Sequence, residues 1–321
     1  MAVHFLLSAA ARTLSLREIY KAGEDAAYDT FKAMRWENGE PVCPKCGSVE
    51  AYEISTRRKF KCKDCCHQFS VTSGTIFASR KMSFCDLLGA ICIFVNAVKG
   101  LSALQLSRDL DVQYKTAFVL SHKLREALAR EVDGKVLDGE VEIDGAYFGG
   151  HVRPANFAED RVDRRLAENQ TGKRRVVIAL RQRKGRTITF VGKAEAEGVE
   201  LASRYVDRLA TIFADEAGHW DHLHQAWPTY RINHSEAYSA DGANTNAVES
   251  YFSRLRRMVT GQHHGVSPQY LHQYAAHAAW LEDHRRRDNG TNAYAVVSNS
   301  MNAPVSTVWA GYWQRNEGKA A

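Results

Sequence analysis

Apolar positions recur with a helical period in two parts of the first 130 residues, roughly 1–40 and 84–128. The stretch SLRE (residues 15–18) has the form of a capping box that opens a helix, and FKAMRW (31–36) is typical of the end of a second helix. From Phe84 to Leu128 the pattern is again helical. Its longest apolar stretch, LLGAICIFVNAV, is too short to cross a bilayer and contains Asn96. We therefore expect a buried helix there and no membrane contact.

A break divides the later part of this helical region. Ser102, with Gln105 three residues later, predicts a helix start, and DLDV (109–112) predicts its end. A new helix then starts near Gln113. Two helices across so tight a connection resemble a helix-turn-helix, whose second helix presents its first residues to base edges. That hypothesis makes Gln113, Tyr114 and Lys115 DNA-binding residues, although any three-helix bundle has similar turns.

Beyond Glu140 the pattern changes to strands that alternate with helices, which predicts a mixed α/β domain. RVVIAL and TITFVG flank RQRKGR as a β-hairpin, and TIFADEA is a strand that ends in acids. A further strand is expected at TYRINH. The first strand of this region is VEIDGAYFGG (141–150), and the predicted helices lie near 200–209, at 246–259 and from about residue 268 onward.

Composition adds a mild constraint on partners. The 321 residues are 45% hydrophobic and 25% charged, as in ordinary globular proteins, and the net charge is +6. This basic balance is compatible with a polyanionic partner without establishing one. The first residues lack the positive charges of a signal peptide, so a cytoplasmic location is expected.

Four of the seven cysteines form two C-x-x-C pairs, Cys43 with Cys46 and Cys62 with Cys65. Fifteen residues separate the pairs, enough for a hairpin that brings four thiolates together around one structural Zn²⁺. The alternative is two unrelated cysteine pairs. Cys66 could compete with Cys65 as a ligand, but the x-x spacing favours Cys65.

A basic stretch, TRRKFKCK, follows the first cysteine pair. Arg57, Arg58 and Lys59 lie beside Phe60 with no acid among them. The stretch is either an edge that contacts phosphates or a solvated face of the hairpin, and the sequence favours neither.

Three acids occupy unusual places in the α/β region. Asp144 lies in the middle of a strand, where a carboxylate is costly to bury, and Asp215 lies where TIFAD ends. Glu249 starts the helix NAVESYFSRLRRMV and shares one line of it with Arg256, seven residues later. Separately, Asp215 and Glu249 could be helix caps and Asp144 a bulge or turn residue.

Taken together, the three acids predict a shared site. Converging carboxylates repel one another unless hard divalent cations relieve the repulsion. Two Mg²⁺ (or Mn²⁺) ions about 4 Å apart, held by Asp144, Asp215 and Glu249, would suit phosphodiester chemistry. Arg256 and Arg257 are placed to position phosphates. DNA contacts by His234, His263 and His264 are a weaker hypothesis, because histidines in polar loops are usually just solvated.

As a set, several motifs resemble those of bacterial insertion-sequence transposases of the ISXO-like group, which carry an N-terminal zinc ribbon and a DDE catalytic domain. They are CPKCGS with CKDC, EIDGAYFGG, ADEAGHWDHLH, RINHSEAYS, TNAVESYFSRLRR and GYWQR. The resemblance implies a ribonuclease-H-like, retroviral-integrase-like catalytic fold. Asp144, Asp215 and Glu249 fall on the family's three catalytic acids, and Arg256 falls on its basic residue.

The resemblance also implies a domain order and a reaction. The expected parts are an N-terminal helical segment (1–40), a zinc ribbon (41–75), a helix-turn-helix-type region (80–135), the catalytic domain (138–290) and a C-terminal tail (291–321). The implied protein binds the element's terminal inverted repeats, cuts a strand and joins the freed 3′-hydroxyl to target DNA, as a homo-oligomer. The alternatives are a catalytically inactive zinc-ribbon DNA binder and another ribonuclease-H-like nuclease.

Overall fold

The computed structural model describes residues 4–150, 153–163, 166–169, 171–233 and 244–316. They form two compact units, one running up to Glu131 and resuming at His284, the other running from Val132 to Asp283. The helices in chain order are α1 (Leu16–Arg35), α2 (Phe84–Asn96), α3 (Ala103–Asp109), α4 (Tyr114–Ala129), α5 (Glu197–Tyr205), α6 (Asn246–Arg256), α7 (Leu271–Asp283), α8 (Asn289–Asn302) and α9 (Tyr312–Asn316). The strands are β1 (Ala51–Ile54), β2 (Lys59–Cys62), β3 (Gln68–Phe69), β4 (Glu140–Phe148), β5 (Arg175–Gln182), β6 (Thr187–Gly192), β7 (Thr211–Asp215) and β8 (Thr229–Ile232).

Helix α1 begins with the predicted capping box, in which Ser15 and Glu18 bond to each other's backbone N–H. Gly23, at φ 87°, interrupts the helical backbone and divides α1 in two, as the sequence predicted. In the second half Phe31 is fully buried, with its ring 5.2 Å from that of Phe84 and 6.0 Å from that of Phe77. This aromatic cluster joins α1 to α2.

Helix α2 is the predicted buried helix, with ten of its thirteen residues buried. Helix α8 packs against α1, α2 and α4 and buries Ala293, Val296, Val297 and Met301. The predicted boundaries assigned most of α8 to a separate tail, whereas the apolar face of α8 places it in the first unit. Among the described residues, no helix combines the length and the apolar character that a membrane span requires.

Helices α3 and α4 start and end close to where the sequence places them. The Ser102 hydroxyl accepts from the Gln105 N–H at 3.1 Å and caps α3. Asp111 takes a left-handed conformation (φ 50°) in the short connection, and α4 starts at Tyr114. Gln113, Tyr114 and Lys115 are exposed at the start of α4. Their contact with DNA stays a prediction.

The second unit is built on a five-stranded sheet in the order β6-β5-β4-β7-β8. Strands β4, β5 and β6 pair antiparallel, and β4, β7 and β8 pair parallel. The carboxyl ends of β4, β6, β7 and β8 therefore lie at one edge of the sheet.

The two faces of the sheet are covered differently. Val141, Ile143 and Ile212 point to one face, where they pack in a core with Ala202 of α5 and Trp220. Residues of opposite parity point to the other face, which contacts α6 and α7. This second face carries the acids of the candidate site.

Candidate catalytic site and zinc site

The four cysteines Cys43, Cys46, Cys62 and Cys65 are gathered in the first unit, with their sulfurs all within 4.8 Å of one another. Strands β1 and β2 pair antiparallel and bring the two C-x-x-C pairs together, so the alternative of unrelated pairs is wrong. Both pairs have the same backbone hydrogen-bond pattern. The N–H of Cys43 donates to the Ser48 carbonyl (2.8 Å), and the N–H of Cys62 donates to the equivalent His67 carbonyl (3.0 Å).

Cys66 does not belong to this cluster. It is exposed, and its φ of 57° matches the role of Gly47 (φ 77°), which follows the second cysteine of the first pair. Both residues supply the left-handed turn that ends a C-x-x-C loop. The spacing rule that favoured Cys65 over Cys66 is therefore confirmed.

The cluster fits a structural zinc ion. Tetrahedral Zn²⁺ with Zn–S distances of ~2.3 Å puts sulfurs about 3.8 Å apart. The Cys43 and Cys65 sulfurs are 3.6 Å apart, as are those of Cys46 and Cys62. The four cysteines are thus placed as a closed zinc site requires.

In the second unit, the sheet register places Asp144 and Asp215 on neighbouring strands. The parallel ladder of β4 and β7 pairs Glu142 with Phe213. Two residues further along each strand lie Asp144 and Asp215, so both carboxylates extend from the same face near the carboxyl ends of the strands. Asp144 itself sits in regular pairing with Ala179 of β5, which excludes the bulge or turn role.

Helix α6 supplies the third acid, and a buried carboxylate anchors that helix to the sheet. Glu142, only 1% exposed, accepts from the Val248 N–H at 2.9 Å. The adjacent Glu249 accepts from the Thr245 hydroxyl at 3.1 Å. Glu142 also accepts from Arg183 Nε at 2.8 Å, which compensates its buried charge.

The three acids interact electrostatically. Burial, together with the negative charges of Asp215, Glu195 and Glu249, raises the pKa of Asp144 to about 7, against one hydrogen bond from the Gly145 N–H. Among the described residues, only the four cysteines lie close enough together to share one ion as they stand, so the acids form a looser group. Their oxygen donors and mutual repulsion suit a hard divalent cation, which would relieve that repulsion.

Asp215 also forms a hydrogen bond within its own turn. Its carboxylate accepts from the Ala217 N–H at 3.1 Å, in the turn that follows β7. It does not cap the helical turn Gly218–Gln225 that follows, whose first residues have no side-chain cap. The predicted alternative of a helix cap is therefore wrong for Asp215.

The structure adds a fourth acid that the sequence analysis missed. Glu195 lies three residues beyond β6, at the same sheet edge as Asp144. Its Oε2 lies 3.2 Å from Nε2 of His219, and a Cβ added at Gly145 would come within 2.5 Å of its Cγ. Gly145 is thus the residue that leaves room for Glu195 beside Asp144. Nothing in the sequence signals this proximity, because it depends on strand order.

The arginine, lysine and histidine residues that the sequence analysis singled out lie in different parts of the structure. Arg256 and Arg257 are exposed at the end of α6, and the Arg256 guanidinium lies 5.9 Å from the Phe252 ring. Arg57 and Lys59 are exposed in the ribbon and form no ion pair with the described residues, whereas Arg58 pairs with Asp25. The His263 ring packs on that of Tyr274, His264 lies in the loop after α6, and His234 lies outside the described residues.

Comparison with known proteins decides the family. Residues 136–283 match the ISXO2-like transposase domain, and residues 22–68 match a transposase zinc-ribbon domain. The two ranges together span more than half of the chain and contain the three acids and the four cysteines. The chain belongs to the ISXO2-like transposases. The resemblance inferred from the motifs is confirmed.

A curated relative supports the same assignment. An uncharacterized protein in transposable element ISH50 of Halobacterium salinarum is 26% identical over 265 residues, which cover 78% of this chain and 88% of the relative. The domains of this ISXO2-like transposase indicate an insertion-sequence protein of the DDE type with a structural zinc ribbon. They also point to DNA as its partner.

Proposed function

We propose that this protein is an active DNA transposase. It binds the ends of an insertion sequence, cuts a DNA strand there and transfers the freed 3′-hydroxyl to target DNA. The observation that carries the proposal is the sheet register that places Asp144 beside Asp215, with Glu249 of α6 close enough to raise the pKa of Asp144. A half-buried carboxylate beside other acids, as Asp144 is, lowers folding stability, so its presence points to a function.

In this proposal Asp144, Asp215 and Glu249 hold divalent cations. Bound Mg²⁺ or Mn²⁺, two per site, would supply an activated oxygen nucleophile and neutralise charge on the leaving oxygen. The mixed sheet, with acids on adjacent strands, supports the ribonuclease-H-like fold that the resemblance implied.

The surrounding residues hold the acids and the DNA in place. Glu142 fixes the start of α6 through the Val248 N–H, so the position of Glu249 follows that of the sheet. Arg256 lies two turns along the same helix and is exposed, so it can orient a phosphate beside the acids. DNA binding itself is assigned to Arg57, Arg58 and Lys59 of the ribbon, to the start of α4 (residues 113–115) and to Arg257.

Asp144→Asn tests the proposal directly. The variant should lose strand cleavage and strand transfer in Mg²⁺ or Mn²⁺, by a factor of at least ~10³ as expected for loss of a metal-binding carboxylate. Its affinity for the element's ends should stay close to that of the parent protein. Asp133→Asn, a change at an exposed aspartate, is the matched control and should keep full activity.

Two results would contradict the proposal. If the parent protein binds the element's ends but does not cut them with either metal, it is a catalytically inactive DNA-binding protein. If it cuts RNA–DNA hybrids in preference to the element's ends, the protein is another ribonuclease-H-like nuclease. Equal loss of binding and cleavage in Asp144→Asn would give Asp144 a structural role.

A further inference from the structure

The first unit has a half-open cavity of about 590 Å³ that the reaction proposed above does not use. Three segments form its walls: the connection 77–82 before α2, the first half of α4, and residues 305–314 near the end of the described chain. This volume lies in the range of pockets that take small organic molecules, and it suffices for one nucleotide.

The charged residues that line the cavity, among those the structure describes, are all cationic. Among the described residues, four cationic side chains line it and no aspartate or glutamate does. The cations are Arg80, Lys81, Lys115 and Lys123. Burial lowers the pKa of Lys123, and only Glu126 opposes this shift. A half-buried ammonium group among other cations is stabilised by a bound anion.

Aromatic rings form the other part of the lining. Trp309 is buried, and Tyr312 and Trp313 are half-buried, with ring centroids of the last two 5.4 Å apart. Lys115 Nζ lies 5.1 Å from the centre of the Trp313 ring. The Trp313 Nε1 is enclosed and forms no hydrogen bond with the described residues. Stacking surfaces and cations thus alternate within one cavity.

The start of α4 adds a further site for an anion. Gln113 provides no side-chain cap, and no acidic residue lies in the first turn. The N–H groups at the start of this 16-residue helix therefore have no competing carboxylate. Gln113, Lys115 and Thr116 all line the cavity, so the start of α4 lies beside the lysines.

We propose that this cavity binds one unpaired nucleotide of DNA, with the base stacked on Tyr312 or Trp313 and the phosphate held by Lys115, Lys123 and the start of α4. The inference rests on the proposed function, because that function supplies the DNA. Rings and cations in one groove are the usual means of holding unpaired bases, since every base has a face that stacks. A phosphate contact alone would need the lysines but not the aromatic pocket.

The test compares three DNAs by fluorescence anisotropy with the full-length, zinc-loaded protein. They are a fully paired short duplex, the same duplex with one bulged thymidine, and the duplex with an abasic bulge. The bulged thymidine should bind about tenfold more tightly than the other two, the size of one base–aromatic stack. Trp313→Ala should remove this preference and leave affinity for the paired duplex unchanged, while Trp313→Phe should keep most of it.

Lys123→Gln is a second variant, which removes a charge without deleting a large side chain. It should weaken binding of the bulged DNA more than binding of the paired DNA. Lys21→Ala, at an exposed lysine of α1, is the control and should change neither affinity. Equal affinity for all three DNAs would overturn the inference, as would equal binding of the abasic and thymidine bulges. Those outcomes leave the proposed function intact. If the protein binds none of the DNAs, both the inference and the proposed function are contradicted.

Discussion

At the scale of single residues, the cost of burying Asp144 beside other acids is measurable. Its pKa in the folded protein is raised from 3.8 to about 7, chiefly by burial. The folded state therefore holds a proton that the unfolded state has lost between about pH 4 and 7. Folding stability of the metal-free protein should fall as pH rises through that window.

Asp144→Asn should remove this pH dependence. In the presence of a chelator at pH 8, the variant should be more stable than the parent by at most ~4 kcal/mol, since each pKa unit is worth about 1.36 kcal/mol. Thermal unfolding at pH 4 and pH 8 measures the effect, and the gain should be absent at pH 4. An unchanged or lower stability at pH 8 would show that the pKa of Asp144 is not raised in the folded protein.

Glu195 carries a second prediction at this scale. Its carboxylate approaches Gly145 and pairs with His219, so it should hold the sheet edge beside Asp144 in position. Glu195→Gln should reduce cleavage by about 10–100-fold, the usual range for groups that support metal ligands, with a raised Mg²⁺ requirement. Glu200→Gln, at an exposed acid of α5, is the control. A variant of Glu195 with parental rate and Mg²⁺ dependence would exclude this role.

At the scale of elements, the zinc ribbon depends on its cysteines because it buries little else. Phe60 and Phe69 are buried on its strands, where Trp36 packs against them with ring centroids 5.2 and 6.3 Å away. Strands β1 to β3 contain ten residues together. So small an apolar cluster cannot hold the hairpins without metal.

Removing zinc should therefore unfold residues 41–75 and reduce binding to the element's ends. Cys62→Ser should lose bound zinc and become sensitive to limited proteolysis between residues 43 and 69. Cys66→Ser tests the specificity of the effect, because Cys66 lies outside the cluster and should keep one zinc per chain. Zinc content and proteolysis, measured together, check both variants. Full end-binding affinity without zinc would contradict the role of the ribbon.

At the scale of the whole molecule, DNA binding should depend steeply on salt. The net charge of +6 is modest, but the predicted contacts are lysines and arginines of the ribbon and of α6. Each neutralised phosphate contributes about −0.9 to the slope of log affinity against log salt.

The double variant Arg57→Ala, Lys59→Ala should therefore reduce the slope by about 2 if both side chains contact phosphates. Titrations from low to high salt on a duplex of the element's end give the slope. Lys135→Ala, at an exposed lysine near the start of the second unit, should leave it unchanged. If the slope is the same in the double variant and the parent, the basic stretch of the ribbon faces solvent and does not contact phosphates.

The amino-acid sequence alone fixed those features that depend on neighbours along the chain. The cysteine spacing, the capping residues Ser15 and Ser102, the β5–β6 hairpin and the position of Asp144 within a strand are local, so short patterns predict them. Family membership also followed from the motifs, because their residue types and spacing are specific as a set.

The three-dimensional fold was needed for everything that depends on strand order and helix packing. Glu195 reaches Asp144 because β6 and β4 end at the same edge of the sheet, and Glu142 fixes α6 through a hydrogen bond to Val248, more than a hundred residues later. Helix α8 belongs to the first unit because its apolar face is buried there. A linear pattern records which side chains are buried or charged, but long-range contacts decide which of them meet.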